Sequence, residues 1–180
     1  RQGKVTTPDD VVYTIRAPKK SFEHLNASFA ANVQKHMGLY APDVALVGEG
    51  PRRQHLVQDA ASVIKNGQID RNKNITDLAP NEVAAMLVSD VLTDVMNRPA
   101  SSVTTVTEDD QVRSVITDNP SELVDLDKLK IRERTRMRIE DMRAATTEGL
   151  YGRYFRQLRA AQRQIFQRQL TQMIARAQRF

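Results

Sequence analysis

With 180 residues, the chain is long enough for one domain with a sizeable hydrophobic core. Its hydrophobic fraction of 40% and charged fraction of 27% exclude the disordered and membrane-embedded classes. The lack of cysteine excludes disulfides, thiolate metal sites and cysteine nucleophiles. Residues 1–4 (RQGK) lack the apolar core of a signal peptide, so we expect a cytoplasmic or virion protein that is not secreted through such a peptide and has no membrane partner.

The formal net charge of +5 is unevenly distributed along the chain. From Lys130 onward there are thirteen basic and four acidic residues, which gives this segment a charge of +9 and leaves −4 for the rest. This asymmetry marks the C-terminal third as a candidate surface for nucleic acid or for an acidic protein. Because the sequence begins with Arg1 rather than Met, we expect either a processed product or a piece of a longer protein.

The first third of the chain alternates between strand and helix patterns. Residues 11–15 are β-branched or aromatic, and Pro18 follows them, which predicts a strand and a turn. Apolar residues then recur at helical spacing, which predicts an amphipathic helix over 21–37. Further strands are predicted at 44–47 and 54–58, joined as a hairpin.

The middle of the chain is predicted to contain a connector and a buried helix. The stretch 59–81 has little periodicity, so we expect a hinge-like connector with one short helix at 59–65. An apolar stripe at helical spacing predicts a buried helix that starts at Pro80 and runs until Pro99. Residues 102–107 and 112–117 are rich in β-branched side chains and predict a β-hairpin.

Helices are predicted at about 127–144 and 150–178, separated near Gly149. The order of elements predicts an α+β fold with a small strand-rich N-terminal lobe containing one helix, a mainly helical C-terminal lobe with a β-hairpin, and a long basic C-terminal helix. We divide the chain into an N-terminal α+β lobe at 1–62, the helix and hairpin of the C-terminal lobe at 63–126, and basic C-terminal helices at 127–180.

This order of elements, together with several short motifs, resembles the atypical kinase fold of the HipA-type, actin-fragmin and phosphoinositide kinases. Residues 12–18 (VYTIRAP) resemble the strand that carries the phosphate-binding Lys, and a helix ending in Gly-Leu-x-x-Pro at 38–42 follows it. Residues 55–59 (HLVQD) resemble the strand that leads to the hinge. Residues 92–102 (LTDVMNRPASS) resemble the catalytic loop, whose usual form is Asp-Arg-His-x-x-Asn, and residues 115–119 (VITDN) resemble the metal-binding strand end.

At the positions that carry the chemistry, the resemblance implies a degenerate, pseudokinase-like site. The catalytic base would be Asn97, an amide that cannot accept a proton at neutral pH. The strand Lys is replaced by Arg16, and the metal-binding Asn by Ser102. Asp118 keeps its family identity, but a single carboxylate is a poor magnesium site. No Gly-rich phosphate loop is visible ahead of the first strand, and whether upstream residues supply one stays open.

No other group of residues predicts catalysis. His24, His36 and His55 are too dispersed in the sequence to form a metal motif. The acidic pairs at 9–10 and 109–110 are predicted to be solvated turn residues. We therefore predict no metal site, no cofactor and no nucleophilic triad.

The last helix has two faces with different chemistry. Its basic residues are a candidate interaction surface, and they are Arg153, Arg156, Arg159, Arg163, Arg168 and Arg176. Its apolar face must be covered by something, and it contains Phe155, Leu158, Ile165, Leu170 and Ile174. The cover is either the chain's own domain or another subunit, and the sequence leaves both alternatives open.

We therefore expect a non-catalytic structural or interaction module, with a degenerate kinase-like core, that joins a larger assembly such as a phage virion or head through its C-terminal helices. Two alternatives stay open. An active atypical kinase that uses Asp118 for metal predicts magnesium-dependent nucleotide binding. A non-specific nucleic-acid-binding protein that uses the basic C-terminal segment predicts a steep dependence of binding on salt.

Overall fold

A computed structural model describes residues 3–16, 23–48, 54–64, 68–93, 95, 97–119 and 149–180. These residues form two antiparallel sheets and several helices, which confirms the predicted α+β class. The predicted helix at 127–144 lies outside the described residues.

The first sheet has four strands: β1 (Lys4–Thr6), β2 (Val12–Arg16), β3 (Val44–Val47) and β4 (Gln54–Gln58). Their spatial order is β1-β2-β4-β3, and every neighbouring pair is antiparallel. The prediction of β3 and β4 as a hairpin is confirmed with the predicted bounds.

Strand β1 was not predicted from the sequence. It pairs with β2 because a tight turn reverses the chain, with the Thr7 N–H donating to the Val11 carbonyl at 3.0 Å. Asp10 adopts a positive φ of 64° in this turn, a conformation that Asp tolerates better than most residues. The acidic pair at 9–10 therefore lies in an exposed turn, as predicted.

Helix α1 (Glu23–His36) connects β2 to β3 and buries Ala30, Ala31 and Val33. Gly38 follows the end of the helix with a φ of 83°, in the left-handed region, where glycine has no Cβ to clash. The N–H groups that follow α1 turn back onto its last carbonyls, which is the usual way to satisfy a helix end.

The second sheet has the order β5-β6-β7, from β5 (Gln68–Ile69), β6 (Val103–Glu108) and β7 (Gln111–Ile116). The predicted hairpin is confirmed as β6 and β7. Its two turn residues, Asp109 and Asp110, have φ values of 48° and 61°, a pair of positive values that matches the twist of a tight hairpin.

The connector between the sheets contains the short helix α2 (Ala60–Val63), strand β5 and a 3₁₀ turn at Ile75–Asp77. Helix α3 (Pro80–Leu92) starts at Pro80 as predicted but ends well before Pro99. A second 3₁₀ turn at Ala100–Ser102 leads into β6.

The C-terminal region was predicted as one helix over 150–178, and this prediction is wrong in one respect. Two helices are present, α4 (Gly149–Gln157) and α5 (Ala160–Gln178). Arg159 is extended between them, with a ψ of 164°. Its N–H donates to the Gln162 side chain at 2.8 Å, which satisfies one of the free donors at the start of the new helix.

The main hydrophobic core lies between α1, α3, α4 and α5. All eleven residues from Glu82 to Leu92 of α3 are buried. Helix α5 packs along α3 and contributes Phe166, Leu170 and Ala177 to this core. Among the described helices, none combines the length and the apolar character needed to cross a membrane.

Candidate functional site

Two of the four kinase-like positions meet where the first sheet approaches the second. Arg16 lies at the end of β2, and Asp118 follows β7 two residues after its end. The Arg16 Nη1 donates to Asp118 Oδ1 at 3.1 Å, and the N–H of Asn119 donates to the same oxygen at 2.9 Å. The Asp118 side chain is 54% exposed, so this pair is open to solvent.

The other two positions lie in the loop between α3 and β6. Asn97 is exposed there. Ser102 is buried, and its hydroxyl donates to the Pro99 carbonyl at 2.8 Å and accepts from Arg98 Nη1 at 2.9 Å. The Ser102 hydroxyl therefore holds the loop in shape.

Arg98 is the centre of a buried polar network that the sequence did not predict. Its guanidinium binds the Asp90 carboxylate through two nitrogens, with Nε to Oδ2 at 2.8 Å and Nη2 to Oδ1 at 2.7 Å. The exposed fractions of the two side chains are 0% for Arg98 and 3% for Asp90. The hydroxyl of Tyr151 on α4 donates to Asp90 as well. Such a two-point contact fixes the guanidinium plane as well as its position.

The same guanidinium reaches the residues that follow β7. Arg98 Nη1 donates to the Asp118 carbonyl at 3.0 Å, and Nη2 donates to Asn119 Oδ1 at 3.1 Å. The Asn119 amide in turn pairs with Gln34 of α1, through contacts of 2.5 and 3.3 Å. One arginine thus joins α3, the 97–102 loop and the end of β7, and Asn119 extends the connection to α1.

The buried groups perturb each other's protonation. Burial raises the pKa of the Asp90 carboxyl, and the charge and hydrogen bonds of Arg98 oppose this rise. Burial disfavours the Arg98 cation, but the charge and hydrogen bonds of Asp90, together with the interactions with Tyr151, outweigh it and raise the pKa of Arg98. Burial and the neighbouring Asp90 charge raise the pKa of Tyr151 well above its ordinary value, so its hydroxyl keeps its proton.

The basic residues of the C-terminal helices have different environments. Arg176 is half-buried, and its Nε donates to the His36 carbonyl at 2.8 Å, which ties the end of α5 to the end of α1. Arg163 donates to the Leu158 carbonyl at 3.1 Å and lies over the ring of Phe155 at 4.9 Å. The remaining members of the predicted basic surface are exposed, namely Arg153, Arg156, Arg159 and Arg168.

The apolar face of the last helices is covered within the chain. Leu170 is buried in the core, and Phe155, Leu158 and Ile174 pack against it. Ile165 is 41% exposed and lies outside this contact. Of the two alternatives that the sequence left open, the helices pack in cis.

Three residues of the network escaped the sequence analysis, namely Asp90, Arg98 and Tyr151. Arg98 falls at the Arg of the Asp-Arg-His pattern, so the motif itself could have revealed it. Asp90 lies four residues after Met86 on the apolar face of α3, where a charge predicts a buried partner. The pairing of Asp90 with Tyr151 spans 61 residues, and no local pattern indicates it.

The described residues contain no group of three or more His, Asp or Glu side chains that could hold a metal ion. Comparison of the sequence with protein-family models and with curated proteins gave no significant match.

Proposed function

We propose that the chain is a non-catalytic structural or interaction module with a kinase-like arrangement of elements, and that it joins a larger assembly. The observation that carries the proposal is the buried guanidinium of Arg98. It is hydrogen-bonded to Asp90, Ser102 and the residues after β7, so the loop that would supply catalytic groups is used to hold the fold together.

The chemistry of the loop also favours a non-catalytic role. Phosphoryl transfer needs a group that orients and deprotonates the nucleophile, and it needs oxygen ligands for magnesium. The amide of Asn97 has no proton-accepting function at neutral pH. The Ser102 hydroxyl is occupied within the loop, and the Asp118 carboxylate accepts from Arg16.

Two features support the kinase-like part of the proposal. Strand β2, which ends at Arg16, lies beside β4, the strand that leads towards the connector. Arg16 and Asp118 are 102 residues apart in the chain, yet they form an ion pair. In the family that the motifs resemble, the strand Lys and the metal-binding Asp both act on the same phosphates.

The outer face of the C-terminal helices supports the interaction part. Residues 149–180 contain seven Arg and no acidic residue. Their apolar face is covered in cis, so the surface left for a partner is polar and basic. An acidic subunit surface fits it, and a phage virion or head is one concrete setting for such an assembly.

Thermal unfolding with ATP and magnesium tests the proposal. We expect no rise in the melting temperature for the wild-type chain, for Asp118→Ala or for Asp43→Ala. Asp43 is a matched control, because it is another exposed carboxylate in an ion pair, with Lys35. A magnesium-dependent rise that Asp118→Ala abolishes and Asp43→Ala retains would show nucleotide binding at Asp118 and favour an active atypical kinase.

Non-specific nucleic-acid binding is the second candidate, and the excess of arginine in residues 149–180 favours it. Fluorescence anisotropy of a labelled oligonucleotide at increasing salt tests this candidate. A steep loss of affinity with salt, weakened further by Arg163→Ser with Arg168→Ser, would support it. An affinity that does not depend on salt would eliminate it.

A further inference from the structure

A cavity of about 540 Å³ lies next to the second sheet. Within the described residues, three parts of the chain line it: the connector around the Ile75–Asp77 turn, the segment 100–105 at the start of β6, and helix α4. A volume of this size falls within the range of roughly 300–1,000 Å³ found for small-molecule sites.

The cavity's described lining includes the cationic side chains of Arg71, Lys73 and Arg153. Among the described residues of the lining there is no carboxylate. None of the three side chains forms an ion pair or a hydrogen bond within the part of the chain that the structure describes. Positive charges that line the same cavity repel each other, and a bound anion would reduce this repulsion.

The rest of the lining is suited to an apolar group. Leu78 and Leu150 are buried, while Ile75 and Val103 are half-buried along the same wall. The lining also includes the side chains of Ser101 and Thr104, which carry hydroxyl groups. A ligand with an apolar body and an anionic end would therefore meet both kinds of surface at once.

We propose that this cavity binds a small amphipathic phosphate ester. Its phosphate contacts Arg71, Lys73 and Arg153, and its apolar body lies against Ile75, Val103 and Leu150. None of the kinase-like positions lines the cavity. Ligand binding here would therefore neither support nor contradict the proposed non-catalytic function.

Calorimetric titration of the full chain with α-naphthyl phosphate tests the site, with inorganic phosphate and α-naphthol as the two fragments of the probe. We expect the ester to bind more tightly than either fragment. Arg153→Ser should weaken binding of the ester roughly tenfold or more, because it removes a charge-assisted contact. Arg168→Ser is the matched control on α5, exposed and outside the lining, and it should bind like the wild type.

A second variant tests the space rather than the charge. Ser101 is exposed and lines the cavity, so Ser101→Trp should fill it and weaken binding without removing a cation. Circular dichroism of each variant verifies that it is folded. The proposal is overturned if the ester binds no more tightly than its fragments, if Ser101→Trp leaves its affinity unchanged, or if Arg168→Ser weakens it as much as Arg153→Ser does.

Discussion

The four-stranded sheet and the helical core differ in how much of their apolar surface is covered. All three residues of β1 are exposed, and so are Ala45, Leu46 and Val47 in β3. By contrast, α3 is buried from Glu82 to Leu92. Because burial of apolar surface is the main favourable term in folding, this difference places most of the stabilising free energy in the helical core.

Polar contacts join the end of β7 to the first sheet and to the region of α1. Arg16 pairs with Asp118, and Gln34 pairs with Asn119. The Ile116 N–H also donates to the Tyr40 carbonyl at 3.1 Å. Substitutions should therefore have large effects in the helical core, intermediate effects at polar junctions and small effects in the sheet.

The largest contrast is expected between two neighbours on α5. Phe166 is 1% exposed and makes edge contacts with the rings of Tyr154 and Phe155, at 5.6 and 6.2 Å between centroids. Phe166→Ala should lower the free energy of unfolding by about 3–5 kcal/mol. Ile165→Ala, at an exposed site, is the control and should lower the free energy of unfolding far less. Urea denaturation measures both values, and equal losses would contradict the cis packing of α5.

Tyr151→Phe should lower the free energy of unfolding by about 1–3 kcal/mol near neutral pH, because it removes a hydrogen bond to the buried Asp90. The effect should depend on pH. Burial and the Asp90 charge raise the pKa of Tyr151 well above its ordinary value of 10.0, so the folded state holds the phenol proton more tightly than the unfolded state.

The stabilisation of the folded state that depends on this proton is therefore complete below pH 10. It is lost as the pH rises from there through the raised pKa of Tyr151. Urea denaturation of both proteins at several pH values should show the difference between wild type and Tyr151→Phe shrinking on the alkaline side. A difference that grows there would contradict the assignment.

Asp59→Asn, just after β4 of the first sheet, should have a smaller effect and lower the free energy of unfolding by about 1 kcal/mol. The Asp59 carboxylate accepts from Lys4 at 2.9 Å and from Thr14 at 2.5 Å. Burial tends to raise the pKa of Asp59, but these hydrogen bonds and the Lys4 charge lower it below its ordinary value of 3.8.

The stabilisation by the Asp59 carboxylate is therefore present above pH 3.8 and disappears as the pH falls through the lowered pKa. Thermal melts of wild type and Asp59→Asn should differ at neutral pH and converge in acid. Curves that diverge as the pH falls would refute this role.

Leu46→Ala should have the smallest effect, within about 0.5 kcal/mol, because it lies at an exposed surface site. Leu46 is on β3, one of the two edge strands of the first sheet, and is 41% exposed. Denaturant unfolding measures the change. If Leu46→Ala lowered the free energy of unfolding as much as Phe166→Ala, the contrast between the sheet and the helical core would be contradicted.

The sequence predicts the periodic elements well. Helices α1 and α3 have apolar residues at helical spacing, and β3, β4, β6 and β7 have β-branched runs next to turn residues. These short-range patterns are sufficient to predict the elements. Strand β1 has Val5 as its one apolar residue, and β5 has two residues, so neither leaves a readable pattern. The break between α4 and α5 lies at Leu158 and Arg159 and contains no Pro or Gly, so the sequence does not indicate it either.

The candidate site is less predictable, because its contacts are long-range. Arg16 and Asp118 are recognisable from the kinase-like motifs, but their pairing depends on how two sheets approach each other. The partners of Arg98 come from α3, α4 and the end of β7, and a local pattern cannot bring these elements together.

A double-mutant cycle at Asp90 and Arg98 tests most directly whether the loop is a structural anchor. Asp90→Leu and Arg98→Met each leave a buried charge without its partner, so each should lower the free energy of unfolding by roughly 3–5 kcal/mol. The double variant should cost much less than the sum of the two, because both charges are gone. Single substitutions that cost less than about 0.5 kcal/mol, the range of ordinary surface changes, would contradict the account and leave Arg98 available for a ligand.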